Sequence, residues 1–231
     1  IQVPFRIPGL GLAETRMYVA LLLTENALGA KDPRFRKLLD VAREDLRRPW
    51  RSRGLDRLSV EAAIGKDIPP AVDQALVISG LVTRILAEGT RGNPRQIKRF
   101  LHSLMLRHAI AEERGFAPDI ERPVLAKIML AERFSPDYYE HVARLAASAP
   151  NGKPEALASF EDLVKAPEEE EPAARKGEKT AGRRKPALPA EAEEWAKSEW
   201  AKRWAAIEPP LKDVDLRPYV FVTRDKRSYL S

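Results

Sequence analysis

Apolar residues recur at helical spacing along most of this chain, and the pattern predicts a mainly α-helical fold. Four segments repeat apolar side chains every three or four residues, with Gly or Pro between the segments. Their apolar positions are Phe35, Leu38, Leu39, Ala42 and Leu46; Val72, Leu76, Ile78, Leu81, Val82 and Ile85; Ile97, Leu101, Leu104 and Ala111, with Phe100 at the edge; and Tyr138, Val142 and Leu145. Residues 17–23 are apolar all round, which is typical of a helix at the centre of a bundle.

Capping residues and glycines set the expected ends of these helices. Asp32-Pro33 and Ser135-Pro136 each combine a capping side chain with a proline suited to the first helical turn. Gly29, Gly89 and Gly115 are predicted to end helices, because glycine readily adopts the left-handed conformation that follows many helix C-termini.

The N-terminal residues depart from the helical pattern. Ile1, Val3 and Phe5 alternate with Gln2, which predicts a short strand within residues 1–10. Proline is rare inside central strands, so Pro4 and Pro8 limit the length of this strand. A loop follows, and the helical bundle is expected from residue 11 to residue 166.

A charged segment separates the bundle from the C-terminal part of the chain. Residues 167–189 hold four consecutive glutamates and then six Lys or Arg residues, with Ala, Gly and Pro between them and no aromatic residue. This composition predicts a flexible linker. Its basic half is either simply solvated or a contact for phosphates.

Residues 190–231 are predicted to form a tryptophan-rich helix followed by an extended segment. The helix begins near Glu191, stops at Pro209-Pro210 and carries three tryptophans, at positions Trp195, Trp200 and Trp204. Residues 216–223 are predicted to be extended, with Tyr219 and Phe221 on one side. So much aromatic surface needs a covering partner. Either the tryptophans dock on the core of their own chain or they bind another protein.

Composition limits the chemistry of the chain. It has 231 residues, a formal net charge of +6, 32% charged residues and no cysteine. The missing thiols exclude disulfides, thiolate zinc sites and cysteine nucleophiles. The excess of positive charge suits a soluble protein with some attraction to nucleic acid or anionic surfaces. The longest unbroken apolar run is far shorter than the roughly 18 residues of a membrane helix.

The most informative stretch is Arg91-Gly92-Asn93-Pro94-Arg95-Gln96-Ile97-Lys98-Arg99-Phe100-Leu101. It predicts a turn that leads directly into a helix capped by Asn93, with Pro94 at the first helical position. Arg95, Lys98, Arg99 and His102 fall opposite the apolar face. Cations at a helix N-terminus do not stabilise the helix, because the helix dipole favours anions there. Their position therefore suits a bound anion, and phosphate is the expected one.

A second interpretation of this stretch needs no ligand. A helix with an apolar stripe and a basic back is commonly a solvated surface helix packed on a core. The chain has no Asp or Glu between Glu88 and Glu112, so nearby carboxylates do not neutralise these cations along the sequence. Residue types alone leave both interpretations open.

A second basic cluster surrounds Trp50. Arg47, Arg48, Arg51 and Arg53 lie where a predicted helix ends. Basic residues at a helix C-terminus are favoured by the helix dipole, and this is the simpler interpretation. The alternative is a contact with nucleic acid in which the Trp50 ring stacks on a base.

Three other patterns were considered and give no site. Gly9-Leu10-Gly11 lacks the third glycine of a dinucleotide-binding loop, since Glu14 stands in its place. Gly65-Lys66-Asp67 lacks the upstream glycine and the following Ser or Thr of a phosphate-binding loop. The three histidines have no metal-ligand spacing with carboxylates, and no metal site is predicted. They are His102, His108 and His141.

The turn resembles a known nucleotide sensor. The helix–Gly-Asn-Pro-Arg–helix arrangement is similar to the sensor-2 turn in the lid of AAA+-like and STAND-like P-loop NTPases. The longer string from Gly92 to Leu101 resembles the KAP family of P-loop NTPases. Residues 1–8, Ile-Gln-Val-Pro-Phe-Arg-Ile-Pro, resemble the last core strand of that family and its exit. Residues 215–221, Asp-Leu-Arg-Pro-Tyr-Val-Phe, resemble a segment near its C-terminus.

The resemblance implies a division of the chain. Residues 1–10 would be the last strand of a nucleotide-binding core, residues 11–166 the helical lid, residues 167–189 the linker and residues 190–231 an appended C-terminal element. The chain begins at Ile1 within the predicted strand. We therefore expect it to be the C-terminal part of a longer protein.

The resemblance also implies an ATPase, with ATP as the ligand and Mg²⁺ held by the missing core. By its position in the motif, Arg95 would be the sensor-2 arginine that reaches the terminal phosphates. Asn93, Lys98 and Arg99 are the other expected nucleotide-binding residues, and Arg6 is a further candidate. We expect this part alone to be inactive, because the Walker A and Walker B segments are absent from it.

Partners follow from the same resemblance. The family includes bacterial proteins tied to anti-phage defence and membrane-associated members, and an oligomer is compatible with it. We expect a cytoplasmic protein, and the absence of cysteine is compatible with a reducing compartment. Two non-enzymatic alternatives stay open. One is a basic helical module that binds nucleic acid, and the other is a protein-binding scaffold that uses Trp195, Trp200 and Trp204.

Overall fold

The computed structural model describes residues 9–166 and 188–224, and these residues form helices joined by short loops. The predicted mainly α-helical class is confirmed. The helices of the described ranges are α1 Leu12–Leu28, α2 Pro33–Leu46, α3 Arg57–Ile64, α4 Pro70–Thr90, α5 Pro94–Glu113, α6 Arg122–Phe134, α7 Pro136–Ser148, α8 Glu155–Lys165, α9 Ala190–Trp195, α10 Glu199–Ala205 and α11 Arg217–Thr223. Short 3₁₀ turns lie at Pro49–Arg51, Ala117–Asp119 and Pro150–Gly152.

Most of the predicted strand and of the predicted linker lie outside the described residues. Gly9 and Leu10, which follow the predicted strand, are in a loop that leads into α1. The strand therefore stays a prediction, as does the flexible linker.

Local sequence explains where the helices begin. The Asp32 carboxylate accepts a hydrogen bond from the Arg34 amide at 2.8 Å and caps α2. Proline occupies the first turn of several other helices, where its missing N–H is not needed. Pro70, Pro94 and Pro136 are examples.

Two clusters of buried side chains hold the bundle together. The larger one joins α1 and α4–α11, and the smaller one joins α1–α4 around Leu38, Leu55 and Val60. α1 has its most extensive interface with α4. Its side chains contribute to both buried clusters, which agrees with the predicted central position. The predicted apolar face of α4 is buried, with Leu81 only partly so.

Gly89 does not end α4, which continues to Thr90. The absence of a side chain at Gly89 instead lets the Phe134 ring of α6 lie against the backbone of α4, where a Cβ atom would overlap it. The expected helix stop was therefore one residue early, and the missing side chain of Gly89 serves helix packing.

The tryptophan-rich segment forms two short helices rather than the single predicted one. α9 ends at Trp195, and Ser198 begins α10 by accepting a hydrogen bond from the Ala201 amide at 3.2 Å. A serine at this position competes with continuation of the first helix because its hydroxyl caps the second.

Residues 217–223 are helical, so the prediction of an extended segment over 216–223 was wrong. The Asp215 carboxylate accepts a hydrogen bond from the Arg217 amide at 3.0 Å at the start of α11. The buried residues Leu216, Tyr219, Val220 and Thr223 follow the spacing of one helix face. Burial of this face favours a helix even though the segment is rich in aromatic and β-branched side chains.

The tryptophans dock on the core of their own chain. Trp195 and Trp204 are buried and Trp200 is half-buried. All three rings meet Tyr138 edge to face, at centroid distances of 5.1 Å for Trp195, 5.2 Å for Trp204 and 5.8 Å for Trp200. Of the two alternatives for these rings, docking on the core of the same chain is therefore the one that the structure shows, and a protein partner on the half-buried Trp200 stays a prediction.

Within the described residues, α4 is the one helix whose length and composition would suffice to cross a membrane. Half of its most apolar window is buried against the other helices of the bundle. The core helix of a soluble protein has the same character, so this feature is weak support for a membrane span.

Candidate functional site at the turn between α4 and α5

The turn between α4 and α5 is a tight reversal made by two residues in the left-handed conformation. Arg91 has a φ of 52° and Gly92 a φ of 66°. The Gly92 amide donates a hydrogen bond to the carbonyl oxygen of Ala87 at 3.0 Å, which closes the last turn of α4. The chain then enters α5 at Pro94.

Asn93 caps α5, as predicted. Its side-chain oxygen accepts hydrogen bonds from the amides of Arg95 at 3.0 Å and Gln96 at 3.4 Å. The amides of Gln96 and Ile97 also donate to the Asn93 carbonyl oxygen, each at 3.1 Å. Because these amides are already satisfied, an anion at this end of α5 would be bound by side chains rather than by the helix backbone.

The turn is attached to the segment that precedes α1. The Leu10 amide donates a hydrogen bond to the Gly92 carbonyl oxygen at 2.9 Å. The two backbones lie so close that a Cβ atom at Gly92 would overlap Leu10, and one at Gly9 would overlap the Arg91 carbonyl. Glycine at both positions allows this approach. The sequence reasoning had assigned Gly9 and Gly11 only to a loop.

The two faces of α5 are divided as the sequence predicts. Ile97, Phe100, Leu101, Leu104 and Ala111 are buried in the core. The opposite face exposes the predicted cations and the histidine, which are Arg95, Lys98, Arg99 and His102. The apolar stripe therefore orients the basic side chains toward solvent.

The cations at the start of α5 have no carboxylate partner in residues 9–166 and 188–224. No ion pair joins Arg95, Lys98 or Arg99 to a described acidic side chain, although many other cations are paired. An unpaired cluster of three cations keeps its full positive field. Arg6, the fourth expected contact, lies outside the described residues.

A cavity of about 450 Å³ opens beside Arg99, between α5, α6 and α7. Arg107 and Arg133 also line it, and Glu132 and Glu140 provide negative charge. Arg107 forms a two-point ion pair with Glu132, with a distance of 2.6 Å from Nη2 to Oε1. Sequence reasoning missed this cavity, although the spacing of residues 99, 103 and 107 places one side of α5 along it.

Sequence reasoning also missed the most buried charges of the chain. The side chains of Lys127 and Glu161 are 0% exposed, and Lys127 Nζ donates to Glu161 Oε1 at 2.8 Å. The same amine approaches the carbonyl oxygens of Ala205 at 3.2 Å, Ile207 at 2.6 Å and Pro209 at 3.1 Å. The signal in the sequence is a single lysine in the apolar run of residues 124–131.

The rest of this buried network also consists of backbone contacts. Glu161 Oε2 accepts hydrogen bonds from the amides of Leu211 at 2.7 Å and Lys212 at 3.0 Å. The Trp204 indole donates to the Lys127 carbonyl oxygen at 2.7 Å. Burial lowers the pKa of Lys127, and the Glu161 carboxylate opposes this shift. With every contact internal, the pair joins the C-terminal segment to α6 and α8.

His108 lies at the edge of a smaller cavity of about 240 Å³ between α1, α4 and α5. Its Nδ1 is 3.2 Å from a carboxylate oxygen of Glu112, and Arg122 lies nearby. Burial lowers the pKa of His108, Arg122 lowers it further and Glu112 opposes them. Within the described ranges, no three His, Asp or Glu side chains are grouped closely enough to hold a metal ion.

Comparisons of this chain with protein-family models, with curated proteins and with solved structures gave no match. The chemical role of the turn is therefore inferred from its own residues and from the motif they form. Those residues provide an exposed guanidinium, two further cations without an ion pair among the described residues, and a turn hydrogen-bonded to the start of the described chain.

Proposed function

We propose that this chain is the helical lid of a KAP-like P-loop ATPase, and that Arg95 contacts the terminal phosphates of bound ATP. The observation that carries the proposal is the position of Arg95. Its side chain is exposed and has no ion pair in the described part of the chain. Arg95 lies in the first turn of α5, and the turn before α5 is hydrogen-bonded to Leu10.

The attachment of the turn to Leu10 supports this proposal for a mechanical reason. Leu10 lies two residues after the stretch 1–8, which resembles the exit from the last strand of the nucleotide-binding core. A hydrogen bond from Leu10 to Gly92 would keep the start of α5 close to that exit. Movement of the core on nucleotide binding would then be transmitted to the lid through one short, stiff connection.

The proposed chemistry rests on side chains. The planar guanidinium of Arg95 suits the oxygens of a phosphate group, and it would stabilise negative charge as the bond to the terminal phosphoryl group breaks. Lys98 and Arg99 would add positive field from the next turn of α5. Mg²⁺ would be held by the core that the resemblance places before Ile1, and no described residue is assigned to it.

The test is Arg95→Ala in a protein that joins this chain to the expected core. We expect the turnover number for ATP to fall about 100-fold, the typical effect of losing one preorganised donor to a developing charge. The melting temperature should not change, because Arg95 is exposed and unpaired among described residues. Turnover and thermal unfolding are measured on the same preparations.

Two further variants make this test specific. Arg144→Ala removes an exposed arginine from α7, away from the turn, and should leave turnover as in the unmodified protein. Arg95→Lys keeps the charge but not the planar fork, and should recover only part of the activity. Unchanged turnover in Arg95→Ala would contradict the proposed sensor role.

A further inference from the structure

Trp50 is the most exposed large hydrophobic side chain in the described part of the protein, at 77%. It lies in the 3₁₀ turn Pro49–Arg51 between α2 and α3. Its ring makes no contact with another described aromatic ring or cation, whereas Trp195, Trp200 and Trp204 all do so. An indole ring with most of its surface in water is free to stack on a ligand without first leaving a contact in the protein.

Most of the arginines close to Trp50 in the sequence are not neutralised by an ion pair with a described residue. Arg47 forms an ion pair with Glu44 at 2.9 Å, and the Asp45 carboxylate accepts a hydrogen bond from the Ser52 hydroxyl. With these acids engaged, three exposed guanidinium groups close to Trp50 in the sequence form no ion pair with a described residue, and the last of them still attracts the Asp56 carboxylate. They belong to Arg48, Arg51 and Arg53.

The helix dipole does not account for Arg51 and Arg53. α2 ends at Leu46, and the favourable effect of its C-terminus is confined to the last turn. Arg43 and Arg47 are close enough to benefit. Arg51 and Arg53 lie five and seven residues beyond Leu46, in the connection to α3.

The loop that carries Trp50 has a fixed base. Leu55 is buried in the smaller apolar cluster, and the Gly54 amide donates to the Ser52 hydroxyl at 3.1 Å. Gly54 has a φ of 76°, and a Cβ atom there would lie 3.0 Å from the Ala13 carbonyl oxygen in α1. The loop is therefore packed on α1 at one end and continuous with α2 at the other.

We propose that this loop binds single-stranded nucleic acid. Trp50 stacks on an unpaired base, and Arg48, Arg51 and Arg53 contact the flanking phosphates. This site is independent of the proposed ATPase function, since it uses none of the residues of the turn between α4 and α5.

Single-stranded nucleic acid fits the surface better than the other ligands with similar charge. In a duplex the base faces are covered by their neighbours, so an exposed indole has nothing to stack on without unstacking the helix. A free phosphate or an acidic peptide would satisfy the arginines and leave the ring in water. A single strand supplies bases and phosphates together.

The test measures binding of the whole chain to a fluorescent oligothymidylate of about 12 nucleotides by anisotropy. Trp50→Ala should weaken binding about 10-fold, and Trp50→Phe should retain most of the affinity because it keeps an aromatic face. The matched control is Leu58→Ala, which removes a side chain that is also largely exposed, on the neighbouring helix α3. It should bind as the unmodified chain does.

Salt dependence tests the arginines separately. Between roughly 50 and 200 mM salt, the affinity of the unmodified chain should fall steeply. Arg48→Ala combined with Arg51→Ala should weaken binding and reduce the slope of log affinity against log salt by about 0.7 for each lost phosphate contact. Trp50→Ala should leave this slope unchanged, because stacking releases no counterions.

Three outcomes would overturn the proposal. The first is that the unmodified chain does not bind the oligonucleotide at low salt. The second is that Trp50→Ala binds it as tightly as the unmodified chain does. The third is that a duplex of the same length binds equally well and that Trp50→Ala does not change its affinity. The melting temperature of each variant is measured alongside. It should not change, because neither Trp50 nor the arginines contribute to the described core.

Discussion

Lys127 shows how one residue can connect distant parts of this chain. Its amine lies in the core among the carbonyl oxygens of residues 205, 207 and 209, more than 70 positions later in sequence. Removing a charged group from water is costly, and the Glu161 carboxylate, these carbonyls and the Trp204 ring, whose centroid is 5.1 Å from Lys127 Nζ, compensate for it. We therefore expect the pair to determine the position of the C-terminal segment more than it contributes to the free energy of unfolding.

The first prediction at this scale concerns Lys127→Met. The substitution leaves the Glu161 carboxylate buried without its cation, and we expect the free energy of unfolding to fall by about 3–5 kcal/mol. Adding Glu161→Gln should recover part of the loss, because glutamine is neutral and still accepts from the two amides. Urea unfolding measures both variants.

A surface pair of the same type is the control for Lys127→Met. Lys165 Nζ lies 2.5 Å from Glu208 Oε1, but both side chains are substantially exposed. Lys165→Met should therefore cost less than about 1 kcal/mol. Equal effects of the two substitutions would show that burial of the Lys127 pair has no special consequence.

At the scale of elements, two loops are held by close contacts with segments that are distant in sequence. The turn between α4 and α5 packs backbone against backbone on the segment before α1. The start of α11 is also held to a remote loop, since the Leu216 amide donates to the Gly152 carbonyl oxygen at 3.0 Å and a Cβ at Gly152 would overlap the Asp215 side chain. Two of the three stretches that carry the KAP resemblance thus coincide with tight contacts between remote segments.

Gly92→Ala should test the contact at the candidate site. Alanine at this position combines an unfavourable positive φ with overlap on Leu10, so we expect more destabilisation than from the φ value alone. Gly115→Ala is the matched control, because Gly115 has a φ of 80° and open space around it. The control should cost about 1 kcal/mol and Gly92→Ala clearly more, as measured by urea unfolding. Equal losses in the free energy of unfolding would mean that the loop before α1 moves aside without resistance, which would contradict a tight contact.

At the scale of the whole molecule, the C-terminal segment is part of the bundle. Trp204 and Leu216 are in the same buried cluster as residues of α4 and α6. Ion pairs reinforce this arrangement at the surface, including Arg203 with Glu88 at 2.7 Å and Lys212 with Asp162 at 2.7 Å. The described helices before and after the linker therefore share one core.

Deletion of residues 190–231 should consequently damage the rest of the fold. Tyr138, Phe160 and Lys127 would lose the side chains and carbonyls that cover them. We expect residues 1–189 to lose cooperative thermal unfolding and to bind a dye specific for exposed apolar surface. Addition of a peptide of residues 190–231 should restore the transition. An unchanged melting temperature in the shortened chain would contradict a shared core.

The sequence by itself determined the helical class, the buried faces of α4 and α5, and the Asn93 cap. Each depends on residues close together in the chain, so periodicity and capping chemistry are sufficient to predict it. The exposure of Arg95, Lys98 and Arg99 followed from the same periodicity, because burial of one helix face places the other in water.

Only the tertiary structure decided the roles of Lys127, Gly89 and α11, and the position of the tryptophans. Their conformations depend on side chains far away in sequence, such as Phe134 against Gly89 and Glu161 beside Lys127. Residues 216–223 have local preferences for an extended chain, and burial of one helical face overrides those preferences. Local patterns describe what a segment can form, and the shared core selects which form it takes.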